Sequence, residues 1–519
     1  MGKFGRIGWQ KAATGFCLRR ATWHRCLKQI SVAIVKKAVE SNATWHRCLK
    51  QATSGFCLKR FAFGFCLKPV LSDFCTNQNP ADSDLKSVGF DLHSKPTYGG
   101  CYMKQMLSGL RLRGMAMICL AVIALNLQAQ QMADRVCKSD YRIDSTRVQE
   151  LSFELDNISF FKDNEFAGSM MKGYSLPGLW LQPKFTYQPL KNIRLELGAH
   201  ALIYSGAYKY PVYAYHDIAT WKGNQYQKGF HILPFFRAQF SLRNVNLILG
   251  NIYGGSNHGL MDPLFNPELN LTADPEMGFQ ALYDIPHFHL DAWLNWQSYI
   301  FDLDTHQEAF TVGLAMQVKY NNPASRLHFY TPIQLTIQHR GGEQDITDTG
   351  AQSLTNAGLG VGMQWNARRK VFTRMNVEVD AVASYQMSGN LWPFEKGLGG
   401  FASASVSLWD QMNVKVGYFA GKNFISLFGI PYYSTLSLRN QGARYDGIQS
   451  LYGSVEYSRV FAKHYVLGAK VDGYYVMPGN MTNATGAIEP HTDGLNFSFG
   501  VYFRVNPHFL IKKFKEHTR

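Results

Sequence analysis

Histidine and carboxylate residues fall close together at two places in the 519-residue chain. The first is the segment Gly254–Pro275, GGSNHGLMDPLFNPELNLTADP, which holds His258, Asp262, Glu268 and Asp274, contains three prolines, and is followed at once by Glu276. The second is His287, His289 and Asp291, whose spacing of two puts all three on one face of an extended strand. Imidazole and carboxylate both ligate metals, so that face invites a metal reading. Alternation by itself, however, lines up polar groups along a strand, and no metal is expected. Asp345 and Asp348 lack the oxygen-rich spacing of a calcium loop. Ser, His and Asp residues are scattered over the chain without a GxSxG or similar nucleophile signature. Gly358, Gly360 and Gly362 form no phosphate loop, because no helix follows them; on one strand face they fit ordinary barrel curvature first and the close approach of an inward loop second. The motifs therefore assign no catalytic residue, no metal and no cofactor.

The elements that must position these residues are strands. From Leu151 onward apolar and polar side chains alternate with period two. Between Val371 and Gln386, for example, Met375, Val377, Val379 and Ala381 oppose Arg374, Asn376, Glu378 and Asp380. The same pattern puts Ile193, Leu195 and Leu197 against Arg194 and Glu196, and Leu495, Phe497 and Phe499 against Asn496 and Ser498. Such runs reach ten residues or more, longer than the ~5 to 6 usual in globular proteins. Sixteen candidate strands follow, near 151–161, 178–188, 192–204, 231–243, 245–253, 276–285, 288–298 and 309–320, then 327–340, 356–366, 371–386, 399–408, 413–421, 448–460, 464–477 and 494–505. The connections alternate between short turns and long loops, and both ends of the strand set lie on the short side.

Hydrocarbon offers no partner to backbone N–H or C=O, so strands cross a bilayer only when closed into a barrel. The fold class expected is all-β: a transmembrane antiparallel up-and-down β-barrel of about 16 strands, within 14 to 18. Its apolar face meets lipid, aromatic residues such as Trp180, Trp296, Trp365, Tyr385 and Trp409 form interfacial girdles, and its polar face lines a wet lumen. Candidate pore-lining charges are Arg194, Glu196, Arg237, Asp291, Lys319 and Arg374 in the first part of the barrel. Glu378, Asp380, Lys415, Glu456, Lys470, Asp472 and Arg504 continue the set. Both signs occur in similar numbers, which argues for weak ion selectivity or a polar uncharged solute.

On this architecture and on its last strand, Gly494–Val505, the chain resembles the outer-membrane β-barrel proteins of Gram-negative bacteria, porin-like ones in particular. The resemblance covers residues 103–505 and implies that the aromatic last strand is recognised by the barrel-assembly machinery. It also implies that the third long loop folds into the lumen as a constriction, which would make His258, Asp262, Glu268, Asp274 and Glu276 constriction-loop candidates. Members commonly end on the last strand's aromatic residue, whereas this chain continues into a basic tail, 506–519.

Export is written at residues 103–130. Lys104, Arg111 and Arg113 precede an apolar run from Met115 to Leu127 and the small residue Ala129, the order of a secretory signal peptide. The run is too short for the ~20 residues of a spanning helix. Before it, residues 1–102 repeat ATWHRCLKQ at Ala21 and Ala43, and GFCL units at Gly15, Gly55 and Gly64, without a periodic core. The repeats lack the ligand spacing of a zinc site and read as a mis-assigned start, with translation expected from Met103, Met106 or Met115. Of the chain's 53 basic and 37 acidic side chains, 19 and 5 fall in residues 1–130, leaving 34 and 32 for the rest. Of the net charge of +16, +14 therefore lies in residues 1–130, and no nucleic-acid partner is implied. Eight of nine cysteines also precede the cut, so Cys137 has no disulfide partner in the exported part.

The expected organisation is a leader (1–102), a signal peptide (103–130), a periplasmic N-terminal segment (131–150), a barrel (151–505) in the outer membrane and the basic tail. The expected function is a passive channel for small polar solutes, without enzymatic activity. A filled barrel serving a cell-surface complex comes second, and a lumen-edge lipid hydrolase third. The partners expected are outer-membrane lipid, solutes and the assembly machinery; sequence fixes no oligomeric state.

Overall fold

The structure, a computed structural model, describes residues 132–206, 211–215, 230–300, 306–342, 350–367, 369–491 and 493–515. The leader, the signal peptide, Asp345 and Asp348 lie outside the described residues. Thirteen strands come first: β1 (Glu150–Glu165), β2 (Tyr174–Leu190), β3 (Ile193–Tyr204), β4 (Phe230–Leu242), β5 (Val245–Asn251), β6 (Met277–Ile285), β7 (Phe288–Ser298), β8 (Ala309–Lys319), β9 (Leu327–Arg340), β10 (Gln352–Asn366), β11 (Phe372–Ser388), β12 (Lys396–Leu408) and β13 (Met412–Lys422). Then follow β14 (Arg444–Tyr445), β15 (Gly447–Phe461), β16 (Tyr465–Val476), β17 (Gly479–Thr482), β18 (Ile488–His491), β19 (Gly494–Val505) and β20 (His508–Lys513).

Each wall strand pairs antiparallel with its neighbour, and β1 pairs with both β2 and β19, which closes the barrel. Thirteen strands plus β15, β16 and β19 make the wall sixteen-stranded, in the register that alternation implies. After Asn506 and Pro507, β20 pairs with Glu150–Glu154 at the start of β1, so the tail prolongs the last strand. β14, β17 and β18 form a separate small sheet in the loops.

Hydrophobicity decides which face is which. On β19, Leu495 and Phe497 are 67% and 47% exposed, whereas Asn496 and Ser498 are 0% and 1%. Apolar side chains point outward to lipid and polar ones inward, with every strand edge paired in the closed ring. Two turns are tight enough to force non-glycine residues into the left-handed region: Trp409 and Asp410 at φ 50° and 55°, Ala462 and Lys463 at 43° and 67°. Two successive positive φ values match the twist of the flanking strands. With no helix among the described residues long and apolar enough to cross a membrane, the strands do the crossing. The protein is an outer-membrane β-barrel, its short turns toward the periplasm and its long loops outward.

The lumen is occupied. β5 and β6 are short, seven and nine residues, so loop 252–276 leaves the wall early and runs inward with its own short helix, α2 (Leu269–Thr272). Loop 423–446 lies on top of it: Asn266 N–H donates to Phe428 O (2.7 Å) and Ser426 Oγ to Pro263 O (2.6 Å). From the periplasmic end an N-terminal segment enters, beginning with the helix α1 (Met132–Val136). Arg504 donates to Val136 O (3.0 Å) and Lys138 O (2.6 Å), and Ser139 N–H reaches Asn257 Oδ1 (2.9 Å) on the in-folded loop.

Candidate functional site

The charges on the inward face answer one another. Glu196, fully buried, accepts Arg194 (2.6 Å), Arg237 (3.0 Å) and Lys184 (3.4 Å) across three adjacent strands. Lys470 bridges Glu456 (3.2 Å) and Asp472 (3.0 Å), and Arg504 grips Asp156 (2.7 Å). Glu378 accepts Tyr330 Oη–H (2.6 Å), and Asp380 sits buried against Gly360, where a Cβ would come within 1.8 Å of its Oδ1. Lys319 and Arg374 face a cavity at the periplasmic end. All thirteen candidates thus point into the lumen, most of them engaged with side chains of the wall or the plug.

Four of the five loop candidates anchor that plug. Lys415 pairs with Asp262 (2.6 Å), and Glu268 takes Lys162 and Tyr174 from β1 and β2. Asp274 lines a small cavity of about 160 Å³ beside Trp180 and Asn270. His258 is held hardest: Nδ1 meets Asp291 Oδ2 (2.7 Å), Nε2 meets Glu276 Oε2 (3.2 Å), and the ring stacks on Trp293 with centroids 3.6 Å apart. Burial disfavours a charged imidazole, but the Asp291 and Glu276 carboxylates outweigh it and push the His258 pKa up to about 10. Burial likewise opposes ionisation of Glu276, yet His258 and the Gly255 N–H bring its pKa below the ordinary value. With both ring nitrogens donating, His258 is a clamp and has no lone pair to take a proton. Of the face-sharing trio, His289 turns to Asp284 (2.7 Å), His287 to Lys319 O (3.2 Å) and Asp291 to His258, so they share no centre.

A different pair lies on the outer wall. Ser353, the second residue of β10, lies directly opposite His339 near the end of β9, both at the outward ends of their strands. Gln338, Arg340, Gln352 and Leu354 are buried on the inward face, so His339 and Ser353, half-buried, point toward lipid. Ser353 Oγ lies 2.8 Å from His339 Nδ1, and His339 Nε2 lies 2.8 Å from Gly341 O. A carbonyl only accepts, so Nε2 carries the proton, Nδ1 offers its lone pair, and the Ser353 hydroxyl donates to it. Gly341 presents that carbonyl at φ 91°, a conformation other residues rarely adopt. The register between β10 and β11 shifts at Ser353/Leu354, an irregularity of the kind that re-aims side chains beside functional sites. Next to the pair an aromatic row runs along the rim: His339 to Phe310 (4.9 Å), Phe310 to Trp296 (5.2 Å), Trp296 to Tyr299 (5.7 Å). Such girdles mark the headgroup level of the bilayer.

The model of one protein family, described as lipid A 3′-O-deacylase-type, matches residues 143–514 and so covers the whole barrel. The chain belongs to the lipid A 3′-O-deacylase-type family. Among solved structures it is similar to OprD from Pseudomonas aeruginosa, with 11% identity, a TM-score of 0.40, and coverage of 73% of this chain and 100% of that one. An anion-selective porin from Comamonas acidovorans gives 11% identity and a TM-score of 0.39, covering 69% and 100%. Acinetobacter baumannii OccAB3 gives 12% and 0.38, covering 69% and 99%. At these values the likenesses carry no functional argument. No curated protein sequence matches.

Family membership corrects three expectations. The chain is not an unassigned porin-like barrel; a deacylase-type family, not transport of polar solutes, describes it; and the expectation of no enzymatic activity is overturned. The physical reason is that alternation reports the wall and its two faces, which a channel and a lipid-acting enzyme share. Sequence reasoning also missed Ser353 and His339. They are 14 residues apart, the strand was expected to start at 356 and not at Gln352, and only the hairpin register brings them together. The available signal was a histidine at an apolar-face position near the outward end of the 327–340 strand.

Proposed function

We propose that the protein is an outer-membrane hydrolase that cleaves ester-linked acyl chains from lipid A-type lipids of the outer leaflet, with Ser353 as nucleophile and His339 as general base. The observation that carries this reading is the Ser353–His339 hydrogen bond on the bilayer-facing wall at headgroup level, in a chain of a deacylase-type family. An acyl ester of an outer-leaflet lipid stays near the headgroup plane, so its hydrolase needs a nucleophile facing the bilayer at that level. In the reaction, Ser353 Oγ attacks the ester carbonyl while His339 Nδ1 takes its proton. The proton passes to the departing sugar hydroxyl as the ester C–O bond breaks, leaving the acyl chain on Ser353. Water, deprotonated by His339, then releases the fatty acid and restores the serine. The Gly341 carbonyl holds the imidazole in the tautomer each step needs. Assembly follows from the alternating aromatic β19, which we infer the outer-membrane assembly machinery reads.

The test is fatty-acid release from lipid A by the reconstituted barrel, followed by mass spectrometry. Ser353→Ala is expected to cut the rate by about 10²–10⁴-fold, and His339→Gln to do the same, with folded, heat-modifiable migration unchanged. A folded Ser353→Ala protein that hydrolyses at the original rate removes the proposal.

A further inference from the structure

The periplasmic half of the lumen holds a cavity of about 620 Å³ between the inner wall of β8–β13 and the underside of loop 252–276. Its mouth lies at the short turns, where Pro323, Lys319 and His328 reach it. Its roof is fixed: Gln334 takes Met261 N–H (2.9 Å) and donates to Gly259 O (3.0 Å), and Lys415 holds Asp262. Loop 423–446 lies across the roof, with Ile430 N–H on Asp262 O (3.2 Å). The cavity is therefore blind toward the outside, and an occupant comes from the periplasm. It lies on the opposite face of the wall from Ser353.

The floor has a distinct chemistry. Ser403, Ser405 and Ser407 succeed one another on the inward face of β12, and register sets longer polar residues beside them. Ser407 lies between Arg374 and Asn413, and Ser405 between Asn376 and Lys415. Short hydroxyl side chains make the floor recede, and the flanking amides wall it in. Asn413 is 5% exposed, yet among the described residues its Nδ2 has no hydrogen-bond partner, and neither has Arg374 Nε. Buried donors without partners are costly, and donors lining a cavity are satisfied by what enters it. Of the charged groups within reach, Lys415 pairs with Asp262 (2.6 Å), Lys138 with Asp134 (2.8 Å) and Glu378 with Tyr330, while Lys319 and Arg374, toward the short turns, have no ion pair among the described residues. Inward of these two cations the hydrogen-bonding capacity is chiefly hydroxyl and amide, while Phe401 and Tyr330 supply ring faces at the inner end. The size falls within the ~300–1,000 Å³ of ligand pockets.

We propose that this vestibule is a binding site for a neutral oligosaccharide segment entering from the periplasm. Hydroxyl-rich sugars match a lattice of Ser and Asn, and their ring faces match Phe401 and Tyr330. A peptide would leave most of the serine lattice unread, and an anion would find unpaired cations only toward the mouth, in Lys319 and Arg374, and none along Ser403 and Ser405. The site is independent of the hydrolase reading.

The experiment is calorimetric titration of the full chain in detergent micelles with maltotriose and chitotriose, and with trigalacturonate as an acidic comparison. At least one neutral trisaccharide is expected to bind, and more tightly than trigalacturonate. Ser405→Phe, which fills the floor, is expected to weaken binding at least tenfold, and Asn413→Ala several-fold, with fatty-acid release unaffected. If Ser405→Phe does not migrate as a folded barrel, Asn413→Ala decides. The proposal is overturned if neither neutral trisaccharide binds, if the acidic one binds tighter, or if binding survives the folded variants unchanged.

Discussion

Two histidines at two levels of the same barrel have opposite hydrogen-bond environments. His258, in the lumen, faces a carboxylate with each ring nitrogen and is locked as a cation; His339, on the lipid side, faces one carbonyl and one hydroxyl and keeps a lone pair. A buried imidazole between two carboxylates gains stability and loses basicity. One between a carbonyl and a serine has little to stabilise and a proton to move. The richer cluster of titratable groups is therefore structural, and the sparser one is placed for chemistry. The same division runs through the molecule, with ion pairs filling the lumen and the outward rim carrying the one Ser–His hydrogen bond described.

The comparison breaks most visibly at Ser353. Removing its hydroxyl is expected to lower fatty-acid release by about 10²–10⁴-fold while leaving the unfolding midpoint in urea unchanged. A lumen substitution should do the reverse. Glu196→Leu strips the shared partner from Lys184, Arg194 and Arg237, and loss of one member of a buried ion set costs about 3–5 kcal/mol. Urea unfolding in micelles reads that loss, and fatty-acid release by the protein that remains folded should stay within twofold. Activity falling in step with the Glu196 substitution would mean that lumen and rim are coupled and that the division is wrong.

How much of this was legible in the sequence depends on the distance over which each signal acts. Period-two alternation is local, and from it came the strand number and the facing of residues such as Glu196 and Asn496, whereas the inward course of the acidic loop was only what the likeness to porin-like barrels implied. The conjunction of His258 with Glu276 and Asp291 was half legible: Glu276 borders the same loop, while Asp291 belongs to the next hairpin and arrives by register. The entry into the lumen of the N-terminal segment that begins with α1 could not be read, because a short polar segment carries no periodicity that states where it docks. Nor could Ser353 and His339, whose pairing depends on the strand beginning four residues before the alternation becomes regular.

A smaller test sharpens the lumen side alone. Gly313 on β8 lies under Trp293, and an added Cβ would fall 2.0 Å from the indole Cζ2. Gly313→Ala must push the indole toward or off the His258 ring, an overpacking cost of about 1–3 kcal/mol. Tryptophan fluorescence should shift with it. Gly313 faces the lumen and the Ser353–His339 pair faces the opposite side of the wall, three residues further along β9 from Thr336, the partner of Gly313, so hydrolysis by Gly313→Ala should match the parent.

The smallest effect is a pH dependence, and its sign follows from the clamp. His258 has its folded pKa raised from 6.5 to about 10, so its contribution to stability is fully present below 6.5 and is lost as pH rises through about 10. Glu276, lowered from 4.5, works the other way: its contribution is present above 4.5 and is lost as pH falls through its folded value. Stability from the clamp is therefore greatest between about 4.5 and 6.5. His258→Gln keeps a hydrogen bond but not the charge. The difference in urea midpoint between parent and His258→Gln should be largest at pH 5 to 6 and should shrink steadily toward pH 10. A difference that instead appears only above neutral pH would mean that His258 is neutral in the folded barrel, free to act as a base, and no different in kind from His339.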